Sequence, residues 1–102
     1  MIIVFTTSPD NRSAELLARK IVNSKLAACV QVLPKMKSFY FWEGEIQAEE
    51  EHLLIVKSVA SKYDALETLI TENHPYDVPE IFAITAHNVS GAYHKWLTEY
   101  ID

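Results

Sequence analysis

Residues 72–81 read ENHPYDVPEI and concentrate groups that could do chemistry. His74, Tyr76, Asp77 and Glu80 lie between and beside Pro75 and Pro79. Imidazole, phenol and carboxylate groups can ligate a metal, hold a ligand or carry a proton. A lone thiol, Cys29, lies in the apolar run LAACVQVLP. A thiolate and an imidazole brought together would suit copper or zinc rather than magnesium or calcium. Each residue also has a plainer role, and on local grounds that role ranks first. Cys29 in an apolar strand packs as a small hydrophobe. His74 at a helix C-terminus meets the negative end of the helix dipole. His52, His87 and His94 are scattered, without the spacing of a zinc finger or a zincin.

Lys57 lies among apolar strand residues, where a lysine snorkels or pairs. Asp77 or Glu80 is its expected partner. The acidic triple Glu49–Glu50–Glu51 reads as a solvated strand edge that resists aggregation. Tyr40, Trp42 and Trp96 read as interface anchors rather than a stacking platform, because no basic residues interleave with them. There is no phosphate-binding glycine loop, HExxH, GxSxG or CxxC, and the chain holds only two glycines. An enzyme is therefore the last of the readings.

The elements that must position these groups follow from hydrophobic period. Residues 2–7 form a β-branched apolar run and predict a strand. Ala14, Leu17, Ala18 and Ile21 recur at helical spacing over 11–25, with Asp10 or Asn11 as the cap. Strands are expected at 26–34, 38–42, 52–59 and 80–87, with Gly44 in a hairpin turn at 43–45. Ser61 and Asp64 predict a capping box for a second helix with a Tyr63, Leu66, Leu69 and Ile70 stripe. Pro75 stops that helix. Ser90 opens a last helix carrying Tyr93, Trp96, Leu97, Tyr100 and Ile101. The order is β-α-β-β-α-β plus a terminal helix: an α+β, ferredoxin-like sandwich with an antiparallel sheet.

At 102 residues this is one domain, 1–102, with a hydrophobic content of 49 % and no second core. A net charge of −5 argues against a nucleic-acid backbone as partner. No apolar run is long enough to cross a bilayer, and the N-terminus has no basic region of a signal peptide. The cytoplasm is the expected compartment. One sheet face carries no helices in this fold, yet LAACV, HLLIV, IFAI and SFYFW are apolar on both faces. The last helix is too short to cover a whole sheet, so other copies of the chain are expected to bury that face.

Taken together, KLAACVQVLP, SFYFWEGEI, EEHLLIVKS, NHPYDVPEIFAI and AYHKWL resemble the CutA divalent-cation tolerance proteins in order and spacing. The resemblance covers essentially the whole chain. It implies a homotrimer of ferredoxin-like protomers, similar in architecture to the PII signalling proteins. It also implies binding of copper or another divalent cation in a metal-ion response, with no organic cofactor. Cys29 matches the family's AAC cysteine and His74 its HPY histidine, the two residues expected to contact metal. Trp42, Lys57, Tyr76 and Glu80 match positions expected to line a ligand or inter-subunit pocket. Asp77 stands there too, where the family commonly carries the longer glutamate. Two other functions stay open: a sensor of a small anionic metabolite, with Lys57 beside the Tyr76–Glu80 loop, and a structural scaffold trimer.

Overall fold

A computed structural model of the chain describes residues 1–101. The elements run β1 (Ile2–Ser8), α1 (Asn11–Asn23), β2 (Cys29–Val32), β3 (Met36–Trp42), β4 (Glu45–Ser58), α2 (Tyr63–Glu72), β5 (Ile81–Thr85) and α3 (Gly91–Ile101). Sheet order is β2-β4-β1-β5, with β3 also on β4 and every pairing antiparallel. This is the expected ferredoxin-like arrangement with a third helix.

Local chemistry sets most of the ends. Asp10 caps α1 by accepting from the Ser13 amide at 2.7 Å. Ser90 does the same for Tyr93 in α3 at 3.2 Å. The capping box expected from Ser61 and Asp64 does not form. The chain enters α2 through a 3₁₀ turn, Ala60–Lys62, and among the described residues no side chain caps the helix. Asp64 instead sits in the first turn, where the helix dipole favours a carboxylate.

Alternation along the strands builds the core. Val4, Leu54 and Val56 point to one face, and Val30 and Val32 pack with them. Ala14, Leu17 and Ile21 of α1 and Leu66 and Ile70 of α2 close over that face. On α3, Leu97 and Ile101 pack on Ala28, beside Met1 and Val59, at one end of the sheet. The opposite face keeps Phe82 and Ile84 46 % and 49 % exposed.

The main departure from the expected elements is β4. It runs fourteen residues from Glu45, well before the position predicted for a returning strand. Pro34 falls between β2 and β3, where it has no amide to give to the ladder. Both pieces therefore lie along one long partner, β2 on 54–57 and β3 on 45–51. Glu43 and Gly44, both at positive φ, make the two-residue turn that joins β3 to β4. This hairpin stretches the molecule to 45 Å, against 25 and 24 Å on its other axes. The radius of gyration is 14.2 Å, above the roughly 13 Å of a compact chain of this length.

Leu54 is fully buried where β4 meets α1, α2 and β1. Leu54→Ala is expected to cost about 2–5 kcal/mol, from lost transfer energy and the cavity left behind. Chemical denaturation of parent and variant measures it. A cost below about 1 kcal/mol would mean that the site collapses around the smaller side chain.

Candidate functional site

The 74–80 segment is anchored before it reaches the sheet. Asn73 closes α2 by donating its side-chain amide to the Leu69 carbonyl at 2.8 Å, and it accepts from Lys20 Nζ at 2.8 Å. His74 then binds at both ring nitrogens. Nε2–H donates to the Thr7 carbonyl at 2.6 Å, and Nδ1 accepts from the Tyr76 amide at 3.2 Å. That pairing requires the tautomer with its proton on Nε2. His74 thus brackets the loop to the end of β1, and a metal at Nδ1 would have to displace the Tyr76 amide.

Tyr76 reaches across to the hairpin. Its hydroxyl donates to Glu51 Oε2 at 3.2 Å. Burial first, and then the charge of Glu51, pushes the Tyr76 phenol up to about 12. Glu51 is only 6 % exposed. The expectation of a uniformly solvated acidic edge therefore fails at this residue. Alternation explains why: Lys37 pairs with Glu50 on the outer hairpin face, whereas Glu51 turns inward opposite Met36. Glu50 binds Lys35 at 2.6 Å on that outer side.

Between the hairpin and the loop lies a cleft of about 390 Å³. Ser38, Tyr40 and Trp42 of β3 form one wall, with Tyr76, Asp77 and Glu80 opposite. Thr7 and Glu51 close the floor. Partial burial, with the Glu51 charge adding to it, raises the Glu80 carboxyl above its ordinary 4.5. Four of the expected pocket residues, Trp42, Tyr76, Asp77 and Glu80, are brought together here. Glu51 was missed; its one sequence signal is the two-residue period running back from Leu53 and Ile55.

Lys57 is not part of this cleft. It stands opposite Cys29 in the β2–β4 register, and its Nζ lies 5.5 Å from the centre of the Tyr93 ring. The expected pairing with Asp77 or Glu80 is absent, because those carboxylates flank the other end of the sheet. The same distance separates Cys29 from His74. Cys29 shares the Lys57 row, while His74 binds at Thr7, whose partner is Leu53. Four residues of strand span about 13 Å, whereas a shared metal needs sulfur and nitrogen within about 2.0–2.3 Å of it. One protomer does not bring these two together. Among the described residues, no group of three or more His, Cys, Asp and Glu side chains could hold a metal ion.

Two titrations follow from the cleft. Glu80 binds its proton more tightly in the folded state, so its ionisation removes stability as pH rises through the raised value. Glu80→Gln is expected to melt higher than the parent near neutral pH, with the gain vanishing below about pH 4. Thermal melts across pH measure this, and equal melting at neutrality contradicts the account. Tyr76 keeps its phenolic proton until about 12. Burial also raises Tyr40 and Tyr63, but absorbance titration should show a last-ionising tyrosine at about 12 that Tyr76→Phe removes. Stability should also fall as pH climbs from the ordinary 10 toward that value.

Comparison with known proteins bears on the whole chain. A family model described as CutA1 divalent ion tolerance protein matches residues 2–100. Protein CutA 1, chloroplastic, of Oryza sativa subsp. japonica is 42 % identical over 96 residues, covering 94 % of this chain and 54 % of that one. The chain spans about half the length of the two plant relatives it matches. The divalent-cation tolerance protein CutA of Pectobacterium atrosepticum is 35 % identical, over 94 % of this chain and 87 % of its own. Among solved structures, CutA1 of Pyrococcus horikoshii OT3 superposes with a TM-score of 0.94 at 40 % identity, covering 98 % and 97 % of the two chains. The protein described as periplasmic divalent cation tolerance protein CutA, from Archaeoglobus fulgidus, gives 0.96 at 32 % identity and covers both chains completely. The whole-chain match and the shared fold agree, and this chain belongs to the CutA1 divalent ion tolerance protein family.

Proposed function

We propose that the chain serves in divalent-cation tolerance as a homotrimer that binds copper or another divalent metal ion, in a binding role rather than a catalytic one. Its expected compartment is the cytoplasm. The observation that carries the reading is the surface a single copy leaves bare. Phe39, Phe41 and Ile46 on the outer hairpin face are 70 %, 68 % and 70 % exposed. Phe82, Ile84 and Val78 add exposed apolar area on the body. Apolar surface on this scale marks an interaction site, and a two-stranded hairpin is marginal without a partner. With Cys29 and His74 at opposite ends of the sheet, a metal held by both would be shared between copies.

Within one chain Lys57 lies over Tyr93, and among the described residues no Lys, Arg or His lines the cleft, so a sensor of an anionic metabolite would need its base from another copy.

Copper titration by calorimetry, run beside light scattering, tests the proposal. The expected mass is three times the 11.6 kDa of one chain. Cys29→Ala and His74→Ala should each weaken the tightest site by at least about tenfold, roughly 1.4 kcal/mol. A single-chain mass at micromolar concentration rejects the assembly. Equal, weak, multi-site binding by all three proteins rejects these two ligands.

A further inference from the structure

The cleft beside the 74–80 loop holds a nearly buried carboxyl group, Glu51, with a single hydrogen-bond donor. Glu51 is 6 % exposed. One of its oxygens accepts from the Tyr76 hydroxyl. Among the described residues it has no ion pair and no second hydrogen bond, although a carboxylate has room for about four. Its second oxygen is not sealed from solvent, so it stays open to a donor or cation entering the cleft. The lysines flanking Met36 serve the outer face: Lys35 binds Glu50, and Lys37 stands opposite Glu50 in the register.

The remaining walls say what kind of cation fits. Tyr40, Trp42 and Tyr76 bring three aromatic rings to the same space, and Glu80 faces them from the loop. In the single chain Trp42 is 45 % exposed and open to an incoming molecule. Aromatic faces attract an ammonium group through their quadrupole and also cover an apolar chain. A bare metal ion gains little from such walls, and the described residues supply no cluster of three ligands for one. The volume of about 390 Å³ lies within the roughly 300–1,000 Å³ of small-molecule pockets.

We propose that this cleft binds a small organic ammonium ion, its charged head between Glu51 and Glu80 and its apolar part against Trp42 and Tyr40. The assignment goes beyond the metal reading, which rests on Cys29 and His74, and either can fail without the other.

Calorimetry with n-butylammonium chloride on the full chain tests it, with butyrate, n-butanol and magnesium chloride as comparisons at matched ionic strength. Saturable binding of the amine is expected at least about tenfold tighter than of any comparison compound. Glu51→Gln keeps the shape and should weaken the amine at least about tenfold. Trp42→Leu removes an aromatic wall and should weaken it several-fold, with light scattering checking that the assembly is unchanged. Glu50→Gln, on the opposite hairpin face, should change nothing. Amine binding no tighter than butanol overturns the proposal, as does magnesium outcompeting the amine. Should Glu51→Gln fail to fold, undiminished binding by Trp42→Leu overturns it alone.

Discussion

The register of β4 is the constraint on which the other parts depend. This one strand of fourteen residues pairs with β1, β2 and β3, and only β5 does without it. Because side chains alternate, one register assigns every residue of β4 to a face at once. Leu54 and Val56 enter the core, while Glu51 and Lys57 take the other side. A slip of one residue would bury Glu50 in place of Glu51 and turn Leu54 and Val56 out of the core. The buried leucine and valine thus hold the acidic floor of the cleft in place, although they do not touch it.

The loop opposite is held by different means. Two prolines restrict its path, and His74 locks it to β1 through two hydrogen bonds on one ring. The Tyr76 hydroxyl then joins the loop to β4 at Glu51. Loop and hairpin are distant in sequence, so the cleft exists only because both are tied to neighbouring strands of one sheet. Its electrostatics follow from that closeness. Burial, and after it the nearby Glu51, raises both Tyr76 and Glu80, since each would add negative charge in a partly desolvated cleft.

The hairpin has a second consequence. Beyond the body of the sheet it has two strands, and its outer face is aromatic and aliphatic. A monomeric protein blunts such a surface with charge. Here the charges lie at the base, where Lys35 meets Glu50, and Phe39 and Phe41 stay bare. The same segment that walls the cleft therefore also presents a bare apolar surface on its other face.

Sequence alone determined what depends on neighbours along the chain. Period-two and helical patterns placed the strands and helices. Asp10 and Ser90 announced their caps, Gly44 its turn, and Pro75 the end of α2. The crowding of His74, Tyr76 and Glu80 was equally legible, as was the excess of apolar residues over what one core can hold. Tertiary structure decided whatever depends on register and on which strand lies beside which. It kept β4 continuous from Glu45, because pairing with β3 outweighs the acidic composition of 49–51. It buried Glu51 and exposed Glu50, a choice that a run of three identical residues cannot express. Lys57 went to Tyr93 rather than to the loop, and Cys29 and His74 went to opposite ends of the sheet. The physical reason is that alternation and capping act over two to four residues, whereas a site forms from strands whose pairing is set by the core they bury together.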